Sequence, residues 1–256
     1  MISFNDRFCH VFIGNYDSKN ENYKNVCMKL MKNLGVYPDD MTPKNLSNKH
    51  CNTLNYWLYY VQDKVKIPAE LIKTIFEQSN EMVPSDSNQY KCVNKYDEKI
   101  KDPLELIKLY NLQDNIEIFL STLKQKGTHD YCSCKKYIYA CVNIYKNMNE
   151  KYCTDPVDSD NQNTCDKLSN FKNFYTKELY EKLEKGENIP SLLSEENEPF
   201  EGCLPAQDSV RETTTKHSNS HSSTTGGVTT ALCTIACASS VLALLYKVND
   251  NFHINI

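Results

Sequence analysis

Twelve of the 256 residues are cysteine. Thiols at that density bind metal, carry redox chemistry or pair with one another. A structural zinc site commonly draws on Cys-x-x-Cys knuckles. No Cys-x-x-Cys occurs, and Cys132-Ser133-Cys134 is too tight for one such pair. A reducing compartment rarely keeps so many thiols without metal or catalytic use, whereas an oxidising one pairs them. The disulfide candidates are Cys9, Cys27, Cys51, Cys92, Cys132, Cys134, Cys141, Cys153, Cys165 and Cys203. Cys233 and Cys237 lie inside an apolar run and stand apart from these ten. On a helix, Cys132 and Cys134 point roughly 200° from each other and require different partners. Ten cysteines allow about 945 pairings, so the connectivity stays open.

Other chemistry is sparse. The sequence has no Gly-Lys-Ser/Thr phosphate loop, no His-Glu-x-x-His and no Gly-x-Ser-x-Gly. The stretch "KQKGTHD" reads as an exposed turn between helices, and adjacency of Cys9 and His10 is not the spatial geometry of a thiol–imidazole pair. The acid pairs Asp39–Asp40 and Glu195–Glu196 read as solvated. No enzymatic activity, cofactor, metal or small-molecule substrate is expected. Net charge is −4, which argues against nucleic acid as a partner, since a basic face is its usual signature. Asn45-Leu46-Ser47 forms a glycosylation sequon that matters only in a secretory lumen.

The elements that must position these thiols read as helices. Tyr23, Val26, Cys27, Leu30, Met31 and Leu34 follow a helical stripe that Gly35 ends. Cys51, Leu54, Leu58, Val61 and Val65 recur at three and four residues, with Trp57, the single tryptophan, beside the seam. "PAELIKTIFEQ" begins with Pro68 at a first helical position. Residues 102–127 open with Asp-Pro and close at Gly127, with a break expected in the middle. Cys134, Ile138, Cys141, Tyr145, Met148 and Tyr152 form another stripe, and Leu168, Phe171, Tyr175 and Leu179 a last one. Period-2 alternation is nowhere sustained, so strands are expected to be scarce. The fold expected is an all-α, disulfide-linked domain over residues 1–200.

Beyond it, residues 201–227 are rich in Ser and Thr and poor in apolar residues, which predicts a solvated stalk. "VTTALCTIACASSVLALLY" (228–246) carries no charge. As a helix it is about 28 Å long, near the roughly 30 Å hydrocarbon core, and is read as a single transmembrane helix. The opening "MISFNDRFCHVFIGN" lacks the apolar core of a secretory leader. Flanking charges hardly orient the span, because only Lys247 follows it, while Arg211 and Lys216 precede it beside Glu212. The cysteines place the long N-terminal side in an oxidising space. A tail anchor with that side in the cytosol is the alternative.

With these pieces in place, the chain resembles the Plasmodium interspersed repeat (Pir, or Vir) family of malaria-parasite variable surface antigens. "CNTLNYWLYYVQDK" (51–64) carries the resemblance, with Leu54, Asn55, Tyr56, Trp57 and Leu58 as its motif core. "CSCKKYIYACVNIYKNMNEKYC" (132–153) and "TCDKLSNFKNFYTKEL" (164–179) support it, as do the late span and the Ser/Thr-rich stalk. The resemblance implies an exported single-pass protein of the infected red cell or of parasite-derived membranes. Its implied roles are antigenic variation, immune evasion and adhesion, with a host-cell receptor or an antibody as partner. Family members usually continue past the span, whereas here only residues 247–256 follow. A valine codon begins with the GT of a splice donor, so "VNDNFHINI" after Lys247 is read as intron read-through. Trp57 and its tyrosines are then core scaffold, or, on the sharper alternative, a binding surface. The second function class is a tail-anchored, cytosol-facing scaffold on an internal membrane.

Overall fold

The computed structural model describes residues 4–17, 19–36, 46–82, 91–183, 189–194 and 200. The expected stalk, transmembrane helix and tail, together with Cys203 and the sequon's Asn45, lie outside the described residues. Among the described residues there are eight α-helices and no strand, and no helix is long and apolar enough to cross a membrane. The all-α expectation therefore holds for this part of the chain. The chain divides after Leu104 into two compact units, a finer division than a boundary at 200.

The first unit contains α1 (Phe4–Ile13), α2 (Glu21–Asn33), α3 (Asn48–Val65) and α4 (Ala69–Met82). Helix α1 buries Asn5, Cys9 and Ile13, a stripe at four-residue spacing that faces the core. In α2 the Asn20 side chain accepts from the amides of Asn22 and Tyr23, which satisfies two otherwise open donors at the helix start. The helix stops as expected at Gly35, whose φ of 78° lies in the left-handed region. There the amide of Val36 bonds back to the carbonyl of Met31 at 3.1 Å, closing the last turn.

Helix α3 is capped by the Ser47 hydroxyl, which accepts from the His50 amide. The ring Nε2 of His50 donates to the Asn33 carbonyl at 2.8 Å, fastening the start of α3 to the end of α2. At the other end Gln62 grips Ile67 by both its amide and its carbonyl, and this leads the chain into α4. Pro68 sits just outside α4 rather than at its first position. Its carbonyl accepts from Leu71 and Ile72. Leu30, Met31, Leu54, Trp57, Leu58, Leu71, Ile72 and Phe76, at most 2% exposed, form the centre of this unit.

The second unit contains α5 (Pro103–Asp114), α6 (Ile116–Leu123), α7 (His129–Tyr152) and α8 (Gln162–Phe174), the last continued by a π-helical turn (Tyr175–Tyr180). The break expected within 102–127 falls at Asn115, whose side-chain amide donates to the carbonyl and the side-chain oxygen of Asn111, both at 2.9 Å. Ile138 and Val142 of α7 lie in a core with Leu109, Leu112, Phe119, Leu168 and Phe171. Tyr137 donates to the Lys108 carbonyl at 2.8 Å and stacks on Phe119, which fixes α7 against α5 and α6.

Trp57 is 1% exposed and central to its unit. Replacing it with Ala leaves a cavity that neighbouring side chains only partly fill, so we expect a loss of roughly 3–5 kcal/mol. Chemical denaturation followed by far-UV circular dichroism checks this, and an unchanged midpoint would show that the indole does not hold the core.

Candidate functional site

Six of the ten candidate cysteines form three bridges: Cys9–Cys27, Cys51–Cys92 and Cys153–Cys165, with Cα separations of 5.7, 5.2 and 5.5 Å. Their sequence separations are 18, 41 and 12. By loop-closure entropy, each restricts the unfolded chain by roughly 3–4 kcal/mol. Cys9–Cys27 joins α1 to α2, and Cys153–Cys165 closes the loop between α7 and α8. Cys132 is also disulfide-bonded. Cys203 lies outside the described residues.

The Cys51–Cys92 bridge is the top rung of a ladder. Cys51, Asn55 and Tyr59 stand four residues apart on one face of α3, and segment 91–97 runs along them. The Asn55 side-chain amide donates to the Val93 carbonyl at 3.0 Å, and its oxygen accepts from the Lys95 amide at 2.7 Å. The Tyr59 hydroxyl donates to the Lys95 carbonyl at 3.4 Å and accepts from the Asp97 amide at 3.1 Å. In an extended segment, alternate residues direct their backbone groups to the same side. A primary amide carries both a donor and an acceptor, and so does a phenol, so each can pair with a backbone edge as a neighbouring strand would. Asp would lose the donor and Leu both groups.

Neighbouring contacts reinforce the ladder. Lys95 Nζ donates to Asn52, the ring of Tyr96 lies 5.0 Å from that of Tyr59, and Asn80 of α4 donates to the Cys92 carbonyl at 3.0 Å. Burial, the largest effect on it, raises the Tyr59 hydroxyl to about 12.

The motif core divides accordingly. Leu54, Trp57 and Leu58 are interior, Asn55 is the buried clamp and Tyr56 is half-buried. At 1% exposure Trp57 offers no binding surface. Reading by type and spacing marks Cys51 and the aromatics but not the clamp. The available signal is a polar residue one turn beyond a cysteine on a buried face.

Cys134 and Cys141 correct the expectation that all ten cysteines pair, since neither forms a disulfide and both are fully buried thiols. Seven residues apart on α7, they share a face but stand about 10.5 Å apart along the axis, beyond the reach of a disulfide. Facing them are helices α5 and α6, which contain no cysteine. Cys134 Sγ donates to the Phe119 carbonyl at 3.8 Å and Cys141 Sγ to that of Lys108 at 3.7 Å. Burial pushes the Cys141 thiol far up. A thiol held protonated is a poor nucleophile, so Cys141 is a packing group rather than a reactive one, and Cys134 is enclosed to the same extent. Among the described residues no cluster of His, Cys, Asp and Glu is placed to hold a metal ion.

The chain matches no protein-family model, no curated protein and no solved structure.

Three outcomes follow from this geometry. Asn55→Ala leaves the Val93 carbonyl and the Lys95 amide without their partner, and should cost about 1–3 kcal/mol with the bridges intact. Equilibrium denaturation without reductant measures this; a change within error would show that water replaces the amide. Spectrophotometric titration should find one phenol ionising near 12 that is missing in Tyr59→Phe. The phenol keeps its proton longer when folded, so its contribution is complete below about 10 and is lost as pH rises from there towards 12. A set of tyrosines all titrating near 10 would contradict its burial. Maleimide at neutral pH should leave Cys134 and Cys141 unmodified in the folded chain and label both once it is denatured; labelling without denaturant would refute their enclosure.

Proposed function

We propose that the chain is a variant surface antigen of the infected red cell, held by one C-terminal membrane helix, with its helical domain exposed to the host. The observation that carries this reading is the set of three sulfur bridges, two of them joining one helix to another or closing the loop between two. Such bridges form and persist in oxidising, extracytoplasmic settings. The interior placement of the motif core adds support. With Leu54, Asn55, Trp57 and Leu58 enclosed, the fold is specified from within, and exposed residues can change without disturbing it. That separation suits a molecule whose surface meets antibodies, and it supports a role in antigenic variation and immune evasion. Adhesion to a host-cell receptor would use those same exposed faces.

Intact infected cells supply the test. External protease should release the N-terminal domain by cutting the Ser/Thr-rich stretch, and an impermeant maleimide should find the bridged cysteines unreactive. Protection from external protease, with Cys9, Cys27, Cys51 and Cys92 recovered as thiols, would instead establish the cytosol-facing, tail-anchored scaffold.

A further inference from the structure

Solvent reaches the bridges Cys9–Cys27, Cys51–Cys92 and Cys153–Cys165 unequally. Cys9, Cys27 and Cys92 are fully enclosed and Cys51 is 2% exposed, so both bridges of the first unit lie beneath other side chains. Cys153 and Cys165 are only partly buried. They join the residue that ends α7 to the first turn of α8, on either side of a loop, 154–161, in which all residues but Val157 and Asn161 are exposed. Exchange requires a thiolate to approach one of the two sulfurs, so access decides which bridge reacts, and exposed bridges are the labile ones.

What this bond holds is local. The Asp160 amide donates to the Asp158 carboxylate and the Asn161 amide to the Asp158 carbonyl, both at 2.9 Å, while the Gln162 side chain donates to Asp166 at 2.8 Å. These contacts stay within the loop and the start of α8. Helices α7 and α8 meet further along, where Ile138 and Val142 share a core with Leu168 and Phe171 and the rings of Tyr145 and Phe171 lie 6.0 Å apart. Opening the bridge therefore loosens the loop and leaves the helix pair in place. The reduced form also has a use for its new group: Cys165 Sγ lies 3.3 Å from the Tyr152 carbonyl, which accepts from the thiol once it forms.

We propose that Cys153–Cys165 is an exchangeable bridge, opened by a protein dithiol at the surface of the second unit while the two bridges of the first unit stay closed. A thiolate of the partner attacks one sulfur, the S–S bond breaks, and the other sulfur leaves as a thiolate that takes up a proton. The partner's second thiol then displaces the mixed disulfide. Two electrons and two protons pass to Cys153 and Cys165, and the partner departs as its own disulfide. The loop 154–161 thus has a closed and an open form under redox control, on a scaffold that does not change. The inference needs oxidised bridges but does not rest on the surface-antigen reading.

The test mixes the oxidised full chain with a limiting amount of reduced thioredoxin, quenches with acid and N-ethylmaleimide, and maps the alkylated peptides over time. Cys153 and Cys165 should be alkylated on the order of tenfold faster than Cys9, Cys27, Cys51 or Cys92. After that selective reduction, an Asp-directed protease should cut before Asp158 or Asp160 faster than in the oxidised chain, with the far-UV circular dichroism retained. A thioredoxin whose second cysteine is serine should be captured on Cys153 or Cys165 of the native chain, and this capture should be lost in the Cys153→Ser/Cys165→Ser chain. Opening of Cys9–Cys27 or Cys51–Cys92 at an equal rate overturns the selectivity, and capture undiminished in the doubly substituted chain overturns the site. Loss of helical signal on selective reduction overturns the confinement of the change to the loop.

Discussion

The first unit depends on how one segment without regular structure is held against a helix. Residues 91–97 have backbone groups that neither a helix nor a sheet satisfies, and leaving such groups unpaired away from water is costly. Helix α3 supplies what is missing in three successive turns: sulfur at Cys51, an amide at Asn55 and a phenol at Tyr59. The covalent rung sets the register, and the two polar rungs then meet the backbone edge at alternate residues. Neither kind of rung suffices by itself. A disulfide fixes one point, and two hydrogen-bonding side chains contribute only a few kcal/mol against the entropy of ordering seven residues. The adjoining side of the same helix places Leu54, Trp57 and Leu58 in the core, so one 18-residue helix both organises the interior and secures a non-helical strap.

The second unit solves a similar problem with a different mix of groups. Its loop between α7 and α8 is closed by Cys153–Cys165, while the middle of α7 relies on tyrosine and thiol groups meeting carbonyls of neighbouring helices. Tyr137 and Cys141 both donate to the Lys108 carbonyl, and Asn111 donates to the Tyr137 hydroxyl. Cysteine therefore has two uses in this chain. In α1, α2, α3, the strap and the loop between α7 and α8 it bridges, whereas Cys134 and Cys141 inside α7 are small apolar groups with a weak donor.

Helices were legible where apolar residues repeat at three and four, as in α2, α3 and α7, and a break in the middle of the 102–127 stretch was expected, though not its place at Asn115. Residues 4–13 carry no such expectation. Their buried stripe is Asn5, Cys9 and Ile13, and only one of the three is a strong hydrophobe. The strap was illegible because its structure comes from side chains of another element, which leave no periodicity in its own sequence. Asn55 was visible as a motif residue but not as a clamp, since a polar residue on a helix normally signals solvent. For cysteines, composition predicts oxidation but not which thiols stay free. That outcome turned on two positions in α7 facing helices without cysteine.

A disulfide-secured helical scaffold with its motif residues inside is the physical basis for the proposal that this chain is a surface antigen, and the first unit of that scaffold depends on the α3 strap. Amide hydrogen exchange at Lys95 and Asp97 in the oxidised protein tests the strap most directly. If Asn55 and Tyr59 hold these two amides, they exchange orders of magnitude more slowly than in an unstructured chain and lose that protection on reduction of Cys51–Cys92. Exchange at the unprotected rate in the oxidised protein would contradict the strap and leave the first unit without the interaction assigned to it.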